Sequence, residues 1–281
     1  MISESQKKKE NEIEDPKVLS QSWDWHVRRK LAWNPDTPEE ILSHLARDKV
    51  QWVRESVAGN ARASLSTLTI LAEDNSGYVR AAVALNSQAT GEMLEMLAGD
   101  EMVDYDSTLQ ENRYLVKEAA ARNPHINPET LAFLARDPDE HVRASAASNP
   151  LLTHEFMSKM TKDVSWLVRN NVARNPSTPE DLLIYLTADR IMDVRATVAQ
   201  NPLTPGAALA ALAADKSWEV KETVAGNPNL EGNILEELAG HWSWMVREAA
   251  AKNPNTPAET IRKLAQDSDQ SVQKAARSRT G

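Results

Sequence analysis

The sequence predicts an all-α protein, a solenoid of about ten two-helix repeats of 26 residues each. Three observations support this prediction. Asparagine recurs at a fixed step, apolar residues keep the same places between the asparagines, and turn-forming residues separate the apolar segments. Every step is 26 residues except the step of 37 between the third and fourth asparagines. With each asparagine counted as position zero of its repeat, these residues are Asn34, Asn60, Asn86, Asn123, Asn149, Asn175, Asn201, Asn227 and Asn253.

The first half of each repeat predicts a helix that follows a turn. Proline follows the asparagine in seven of nine repeats, and Thr-Pro stands at positions 3 and 4 in four of them, as in Thr178-Pro179. We expect the threonine to cap the free helix amides and the proline to be the first helical residue. Glu40 and Glu259 have the spacing of a capping box. Leu, Met or Ile at position 8 and Leu or Met at position 11 then share one face of the helix.

The second half of each repeat predicts a second helix, which we expect to be shorter. Ser or Asp at position 16 is a candidate N-cap in seven repeats, and Val at position 19 with Val or Ala at position 23 forms an apolar stripe. The helix should end at the next asparagine, because a residue before proline avoids helical dihedral angles.

Neither short helix can bury its apolar face alone, so the repeats must stack on their neighbours. Alanine at position 24 permits close packing between successive repeats. The asparagine side chain stands at the turn, where we expect it to bond backbone groups of the next turn as an amide ladder. The alanines at position 24 are Ala58, Ala84, Ala121, Ala147, Ala173, Ala199, Ala225 and Ala251.

The repeat from Asn175 to Ala199 follows the pattern N-P-x-T-P-x-x-x-L-x-x-L-x-x-D-x-x-x-x-V-R-x-x-V-A. This pattern resembles the leucine-rich repeat variant family of bacterial proteins, and its D-x-x-x-x-V-R part is similar to HEAT repeats. The resemblance implies a right-handed superhelix of alternating α and short α or 3-10 helices, without strands, and an activity that is chiefly binding. The family's best-known form carries a cysteine-ligated iron-sulfur segment. This chain has no cysteine, so we expect no cofactor.

The amino-acid composition excludes several further classes of function. The net charge of -9 argues against a surface that binds nucleic acid everywhere, although it permits a local basic strip. The absence of cysteine excludes thiolate catalysis and cysteine-ligated metal sites. The polar N-terminus and the lack of a long apolar segment predict a cytoplasmic protein without a membrane span. We expect a flexible tail at residues 1–12 and a single repeat domain over 13–281.

The extra residues between Asn86 and Asn123 form an acidic insertion near 101–112, between the two helices of one repeat. Insertions in repeat proteins project as loops, often from the functional face. Asp104 and Asp106 are therefore candidates for contact with a partner. The spacing of the acids does not match a calcium-binding EF-hand, so the alternatives are a solvated loop or a partner contact.

Position 20 carries a basic residue in nine successive repeats, which we call the basic row. Such a row could follow the phosphates of a nucleic acid. Alternatively, the aspartates that recur at position 14 could pair with it and use up its charge. The basic row comprises Arg28, Arg54, Arg80, Lys117, Arg143, Arg169, Arg195, Lys221 and Arg247.

Position 17 is aromatic in five repeats, three residues before the basic row. Ring and cation would then share a helix face and could stack. The rings could line a binding groove, or they could seal the contact between repeats. The aromatic row comprises Trp25, Tyr114, Trp166, Trp218 and Trp244, with Trp23 and Trp242 close by.

We therefore predict a non-enzymatic scaffold that holds a protein partner. The six histidines show no catalytic or metal-binding spacing, and no glycine-rich phosphate loop is present. The alternatives are nucleic-acid binding, including a glycosylase-like form, and a lid that occludes one partner. The candidate partner-binding residues are Trp25, Arg28, Asp104, Asp106, Tyr114, Lys117, Trp166, Arg169, Trp218, Lys221, Trp242, Trp244 and Arg247.

Overall fold

The computed structural model describes residues 15–106 and 110–279. The predicted tail, 1–12, lies outside the described residues. The chain divides after Asn149 into two compact units, which are described separately below.

The first unit contains ten described helices, arranged as successive pairs, and one hairpin. The elements are α1 Pro16–Ser20, α2 Trp25–Trp33, α3 Glu39–Leu45, α4 Gln51–Ala58, α5 Leu65–Ala72, α6 Gly77–Leu85, α7 Gly91–Ala98, β1 Asp104–Asp106, β2 Glu111–Arg113, α8 Leu115–Arg122, α9 Pro128–Leu134 and α10 Glu140–Ala147, so that the helices number ten and the strands two. In this unit the second helices of neighbouring repeats, such as α6 and α8, pack against each other.

The second unit consists of five helix pairs. They are α11 His154–Met160 with α12 Trp166–Arg174, α13 Glu180–Leu186 with α14 Met192–Gln200, α15 Gly206–Ala213 with α16 Trp218–Gly226, α17 Gly232–Leu238 with α18 Trp244–Lys252, and α19 Ala258–Leu264 with α20 Gln270–Arg277.

The core of each unit consists of the apolar positions that the sequence repeats. In the repeat that begins at Asn175, Leu183 and Leu186 from the first helix and Val194 and Val198 from the second are all at most 1% exposed. Ala199, at position 24, is fully buried where the second helices pack together. The prediction of an all-α solenoid built from two-helix repeats is confirmed.

The prediction that the second helix is the shorter one is wrong. The second helices contain eight or nine residues, as in α12 with nine, while the first helices contain five to eight, as in α13 with seven. The second helix is longer because it runs without interruption to the asparagine. No 3-10 helix occurs in residues 15–106 or 110–279.

The insertion contains strands, which the resemblance did not imply. β1 and β2 form an antiparallel hairpin with Asp104 opposite Arg113. The hairpin lies between α7 and α8, where the sequence places the extra residues.

The threonines of the four Thr-Pro pairs do not cap the first helices, and the prolines are the N-caps rather than the first helical residues, so the predicted capping boxes are also wrong. Pro179 is the N-cap of α13 and no side chain caps that helix. The hydroxyl of Thr178 instead donates backwards to the carbonyl of Val172 at 2.5 Å. The seven residues predicted at position 16 all stand at the N-cap, and four of them accept a hydrogen bond from a helix amide, as Ser165 does from Leu167. These four are Asp24, Asp139, Ser165 and Asp269, whereas Ser76, Ser217 and Ser243 make no capping hydrogen bond.

The predicted amide ladder is confirmed. The Nδ2 of Asn201 donates to the carbonyls of Ala173, at 2.8 Å, and Asn175, at 3.2 Å, in the preceding repeat. Its Oδ1 accepts from the amide of Leu203 at 2.9 Å. Each such asparagine therefore joins two repeats through backbone groups. The same contacts to the preceding repeat are made by Asn60, Asn86, Asn123, Asn227 and Asn253.

The last repeat ends the ladder with different side chains. Arg279 stands 26 residues after Asn253, and its guanidinium donates to the carbonyls of Ala251 and Asn253. Gln273 replaces the basic residue and donates to the carbonyl of Asp267 at 2.6 Å. Arg279 thus makes the carbonyl contacts of a ladder asparagine, and Gln273 makes the contact that Arg195 makes with the carbonyl of Asp189 in its own repeat.

Candidate functional site

The basic row forms ion pairs between successive repeats. Each pair joins a residue at position 20 to the aspartate at position 14 of the next repeat, 20 residues further along the chain. The pairs are Arg28 with Asp48, Arg54 with Asp74, Arg80 with Asp100, Lys117 with Asp137, Arg169 with Asp189, Arg195 with Asp215 and Arg247 with Asp267.

Arg195 shows the geometry of these pairs. Its Nε and Nη2 donate to the two carboxylate oxygens of Asp215 at 2.5 and 3.0 Å. Its Nη1 donates to the carbonyl of Asp189 at 2.8 Å. Arg195 is buried, and a guanidinium suits this fork of acceptors better than an ammonium does.

The ion pairs set the charge states of their members. Burial alone would raise the pKa of Asp215, but hydrogen bonds from Arg195 and from the Ser217 amide, with the attraction of Arg195, lower it overall. The hydrogen bond to Asp215 raises the pKa of Arg195, against the effect of burial. Both groups are charged at neutral pH, and each neutralises the other.

The pairing decides between the two interpretations of the basic row. Arg143 also turns inward, because its Nη1 donates to the carbonyls of Asp137 and Pro138, each at 2.9 Å. A cation that is buried against a carboxylate is not available to a phosphate. The nucleic-acid alternative therefore loses its main support.

Stacking between the aromatic and basic rows is found at one place in the described residues. The Nζ of Lys117 lies 5.0 Å from the centre of the Tyr114 ring. Arg28, Arg169 and Arg247 direct their guanidinium groups to their carboxylates instead. The expectation of general stacking is wrong, because the ion pair controls the orientation of the cation.

The aromatic candidates differ in exposure. Trp242 is 76% exposed, Trp166 44% and Trp244 40%. Trp25, Tyr114 and Trp218 are half-buried, and the ring of Trp25 stacks on His26 at 3.8 Å. Trp166, Trp242 and Trp244 are thus accessible to another molecule.

A groove of about 700 Å³ lies in the second unit, between α12 and α13 and the turns that precede and follow them. Val164, Ile184 and Tyr185 line it, and each exposes about half of its side chain or more. Trp166 begins the helix that follows Val164. Apolar side chains exposed together in this way are typical of an interaction surface.

Sequence reasoning missed Ile184 and Tyr185, since they lie beside the buried stripe of the first helix. A signal was present at position 10, which carries a large apolar side chain in four repeats although it faces away from positions 8 and 11. The four side chains are between 42% and 57% exposed, and they are Ile70, Met96, Phe133 and Tyr185.

The polar lining of this groove is basic. Lys162 lies 5.8 Å from the centre of the Tyr185 ring, and Arg190 also lines the groove. Asp163 and Asp189 line the groove too, and Arg169 neutralises Asp189. The three cations of the lining exceed its two carboxylates by one charge. The groove therefore combines apolar contact with a positive charge.

The first unit has a smaller groove at equivalent positions, with a volume of about 310 Å³. Tyr114, Phe133 and Pro138 line it. Lys117 lies in its wall, held by Glu101 of the insertion at 3.0 Å and by Asp137 at 3.3 Å. The same repeat positions thus form grooves in both units.

The acidic candidates of the insertion are not simply exposed. Asp104 is buried, and a Cβ built on Gly77 would lie 2.0 Å from its Oδ2. Gly77 stands at position 17, so the carboxylate takes the space that an aromatic ring has elsewhere. Asp106 is half-buried. Burial raises the pKa of Asp104, which makes it a poor source of negative charge for a partner.

The basic row has one irregular repeat. The residue at position 14 opposite Lys221 is His241, which has no carboxylate. Lys221 is half-buried, and no ion pair to it is found in the described part of the chain. Arg247, in the following repeat, is paired with Asp267 in the usual way.

Two further findings concern chemistry and location. The described residues contain no cluster of three or more histidine, aspartate or glutamate side chains placed to hold a metal ion. Among the described helices, none has the length and apolar character needed to cross a membrane.

The helix pairs, the ion-pair ladder and the amide ladder together define a helical-repeat protein. Residues 192–217 and 244–269 match the sequence profile of the leucine-rich repeat variant family. A solved structure described as a leucine-rich repeat variant with a novel repetitive structural motif is 25% identical, with 85% of each chain covered and a TM-score of 0.53. The resemblance to this family is confirmed.

Two other solved structures match with lower scores. An engineered protein is 16% identical, with 95% of this chain and 97% of that chain covered and a TM-score of 0.36. A computationally designed armadillo repeat protein for modular peptide recognition is 18% identical, with 93% and 96% covered and a TM-score of 0.18. These scores are too low to support an argument. None of the curated proteins matches this chain.

Proposed function

We propose that this protein is a non-enzymatic scaffold that holds a protein partner in the grooves between its repeats. The observation that carries the proposal is the groove of the second unit, where Val164, Ile184 and Tyr185 are exposed together. Repeat proteins commonly bind through surfaces built from equivalent positions of successive repeats. The fold and the repeat family point to binding rather than catalysis.

The groove suits an extended segment of a protein that carries both apolar and acidic side chains. Tyrosine and tryptophan dominate the binding energy of protein interfaces because they bury a large area with few rotatable bonds. Lys162 and Arg190 add positive charge at the rim, which complements acidic residues of such a segment. Trp166, two residues after Val164, is 44% exposed and begins the helix that follows the groove residue Val164.

A nucleic acid is a poorer fit. Its phosphates would need a series of free cations, whereas the cations of the basic row are held in ion pairs. The glycosylase-like alternative depends on the same basic row, so the ion pairs count against it as well. A cytoplasmic location and a bacterial source remain predictions.

The test is retention of partners by the immobilised full chain. We would compare the wild type with the double variant Trp166→Ala and Tyr185→Ala, and with the control Leu203→Ala, which removes a side chain that is 46% exposed outside the groove. Native lysate of the source organism would be applied with and without nuclease, at two salt concentrations.

We expect specific proteins to remain bound by the wild type and the control after nuclease treatment, and to be lost from the double variant. Equal retention by all three proteins would contradict the proposed groove. Loss of all bound material after nuclease treatment would instead favour the nucleic-acid alternative.

A further inference from the structure

The aspartate at position 14 has two tasks in the regular repeats. In Asp215, Oδ1 accepts from the amide of Ser217 at 2.8 Å, and both oxygens accept from Arg195. The first task fixes the turn before the second helix. The second task neutralises the cation of the preceding repeat.

His241 performs the first task and not the second. Its Nδ1 accepts from the amide of Ser243 at 3.1 Å, so the turn is kept. No carboxylate is present for Lys221. Burial, together with the positive charges of Lys221 and Arg247, lowers the pKa of His241, as expected where two cations face the ring.

The acids close to Lys221 in sequence are engaged elsewhere. Glu219 bonds the hydroxyl of Ser217. Glu222 lines a separate groove of about 280 Å³ with Met245 and Lys252. In the described residues, Lys221 is therefore left without the carboxylate that position 14 supplies to its equivalents in other repeats.

Tryptophans flank this position. Trp218 precedes Lys221 by three residues on α16, so the two side chains leave the same helix face. Trp242 and Trp244 follow His241 and are 76% and 40% exposed. An incoming group would thus meet a cation and large apolar surfaces together.

We propose that Lys221, framed by Trp218, Trp242 and Trp244, binds a glutamate or aspartate side chain of the protein partner, which completes the ion-pair ladder from outside the chain. The proposal rests on the proposed function, since it requires a protein partner. A carboxylate is the ligand because a carboxylate occupies the equivalent place in seven repeats of this protein. One ammonium also matches a single negative charge, whereas a phosphate would carry more.

The test uses a random peptide library displayed on phage, selected against the full chain. His241→Asp supplies an internal carboxylate and should close the site without disturbing the fold. His241→Asn is the matched control, since it can still accept from the amide of Ser243 but brings no charge. Lys221→Met removes the cation, and urea unfolding of each variant confirms that it folds.

We expect peptides selected on the wild type and on His241→Asn to be enriched in an acidic residue next to apolar residues. This enrichment should be absent with His241→Asp and Lys221→Met. In a selected peptide, Glu→Gln should weaken binding to the wild type about tenfold or more, because a charged hydrogen bond is lost. It should leave binding to His241→Asp unchanged.

Selected peptides that lack an acidic residue, or that bind equally with Gln, would overturn the role of Lys221 and leave the scaffold function intact. Persistence of the acidic enrichment with His241→Asp would likewise overturn the role of Lys221 and leave the scaffold function intact. Failure to select any peptide on any variant would instead count against the scaffold function itself, and the proposal for Lys221 would fall with it.

Discussion

Replacing Asn201 by Asp tests the amide ladder with a change of one atom. The wild-type Nδ2 donates to the carbonyls of Ala173 and Asn175, and Asn201 is 4% exposed. In the variant, an oxygen with negative charge would face those two carbonyl oxygens. The bond from the amide of Leu203 to Oδ1 would remain, so the change isolates the two donated bonds.

The expected cost follows from the number of unsatisfied groups. A buried carbonyl without a donor costs about 1–3 kcal/mol, and this applies to the carbonyl of Ala173. The carbonyl of Asn175 keeps a hydrogen bond from the amide of Thr178 at 3.1 Å. The buried charge adds to this, so we expect a loss of at least about 4 kcal/mol at neutral pH. Protonation would restore one donated bond. The pKa of the new carboxyl should therefore be raised in the folded state, and the loss should shrink as the pH falls below that pKa.

Asn229 provides the matched control. Its Nδ2 donates to the carbonyl of Pro202 at 2.7 Å, but the site is exposed. Asn229→Asp should lower the free energy of unfolding by about 1 kcal/mol or less, because water can replace the lost hydrogen bond. Urea unfolding followed by circular dichroism, at neutral and acidic pH, measures both variants. Equal losses for the two variants at neutral pH would refute the ladder as a source of stability.

Three further predictions concern the core and the ion pairs. Val172→Asp, at a fully buried position, should lower the free energy of unfolding by about 4 kcal/mol or more, and an unchanged thermal unfolding curve would contradict its place in the core. Arg195→Met should lower the free energy of unfolding by about 3–5 kcal/mol at neutral pH, because it leaves Asp215 buried and unpaired. Adding Asp215→Asn to this variant should recover part of the loss, as measured by urea unfolding. The pKa of Asp215 is lowered by folding, so the pair's contribution is present above the unfolded pKa of about 3.9 and is lost as the pH falls through the folded value. The pKa of His241 is also lowered by folding, so the wild type should lose stability as the pH falls below the unfolded value of about 6.5. The free energy of unfolding of His241→Asn, measured against pH, should lack that part of the pH dependence. Identical pH profiles for the wild type and the variant would show that folding does not change the pKa of this histidine.

The repeat, the buried positions and the amide ladder could be predicted from the sequence because each is periodic. A residue such as Val198 or Asn201 recurs at its position in repeat after repeat, so its burial can be argued from many copies at once. The pairing of the basic row was one of two alternatives, and a single sequence could not choose between them. The choice depends on the direction in which each guanidinium leaves its helix.

The features that could not be predicted are those that break the period or depend on three-dimensional contact. The hairpin around Asp104 occurs once, so no repetition identifies its strands. Thr178 was expected to cap the helix ahead of it, but its hydroxyl finds the carbonyl of Val172 behind it. Tyr185 becomes part of a groove only when the neighbouring repeat supplies the other wall.

The amide ladder has a consequence for how this protein can change over time. Asn201 recognises carbonyl oxygens, which every residue at the facing positions possesses whatever its side chain. A junction of this kind does not restrict which repeat may stand next to which. Duplication, deletion or exchange of whole 26-residue segments should therefore preserve the framework, while the exposed positions remain free to acquire new specificities.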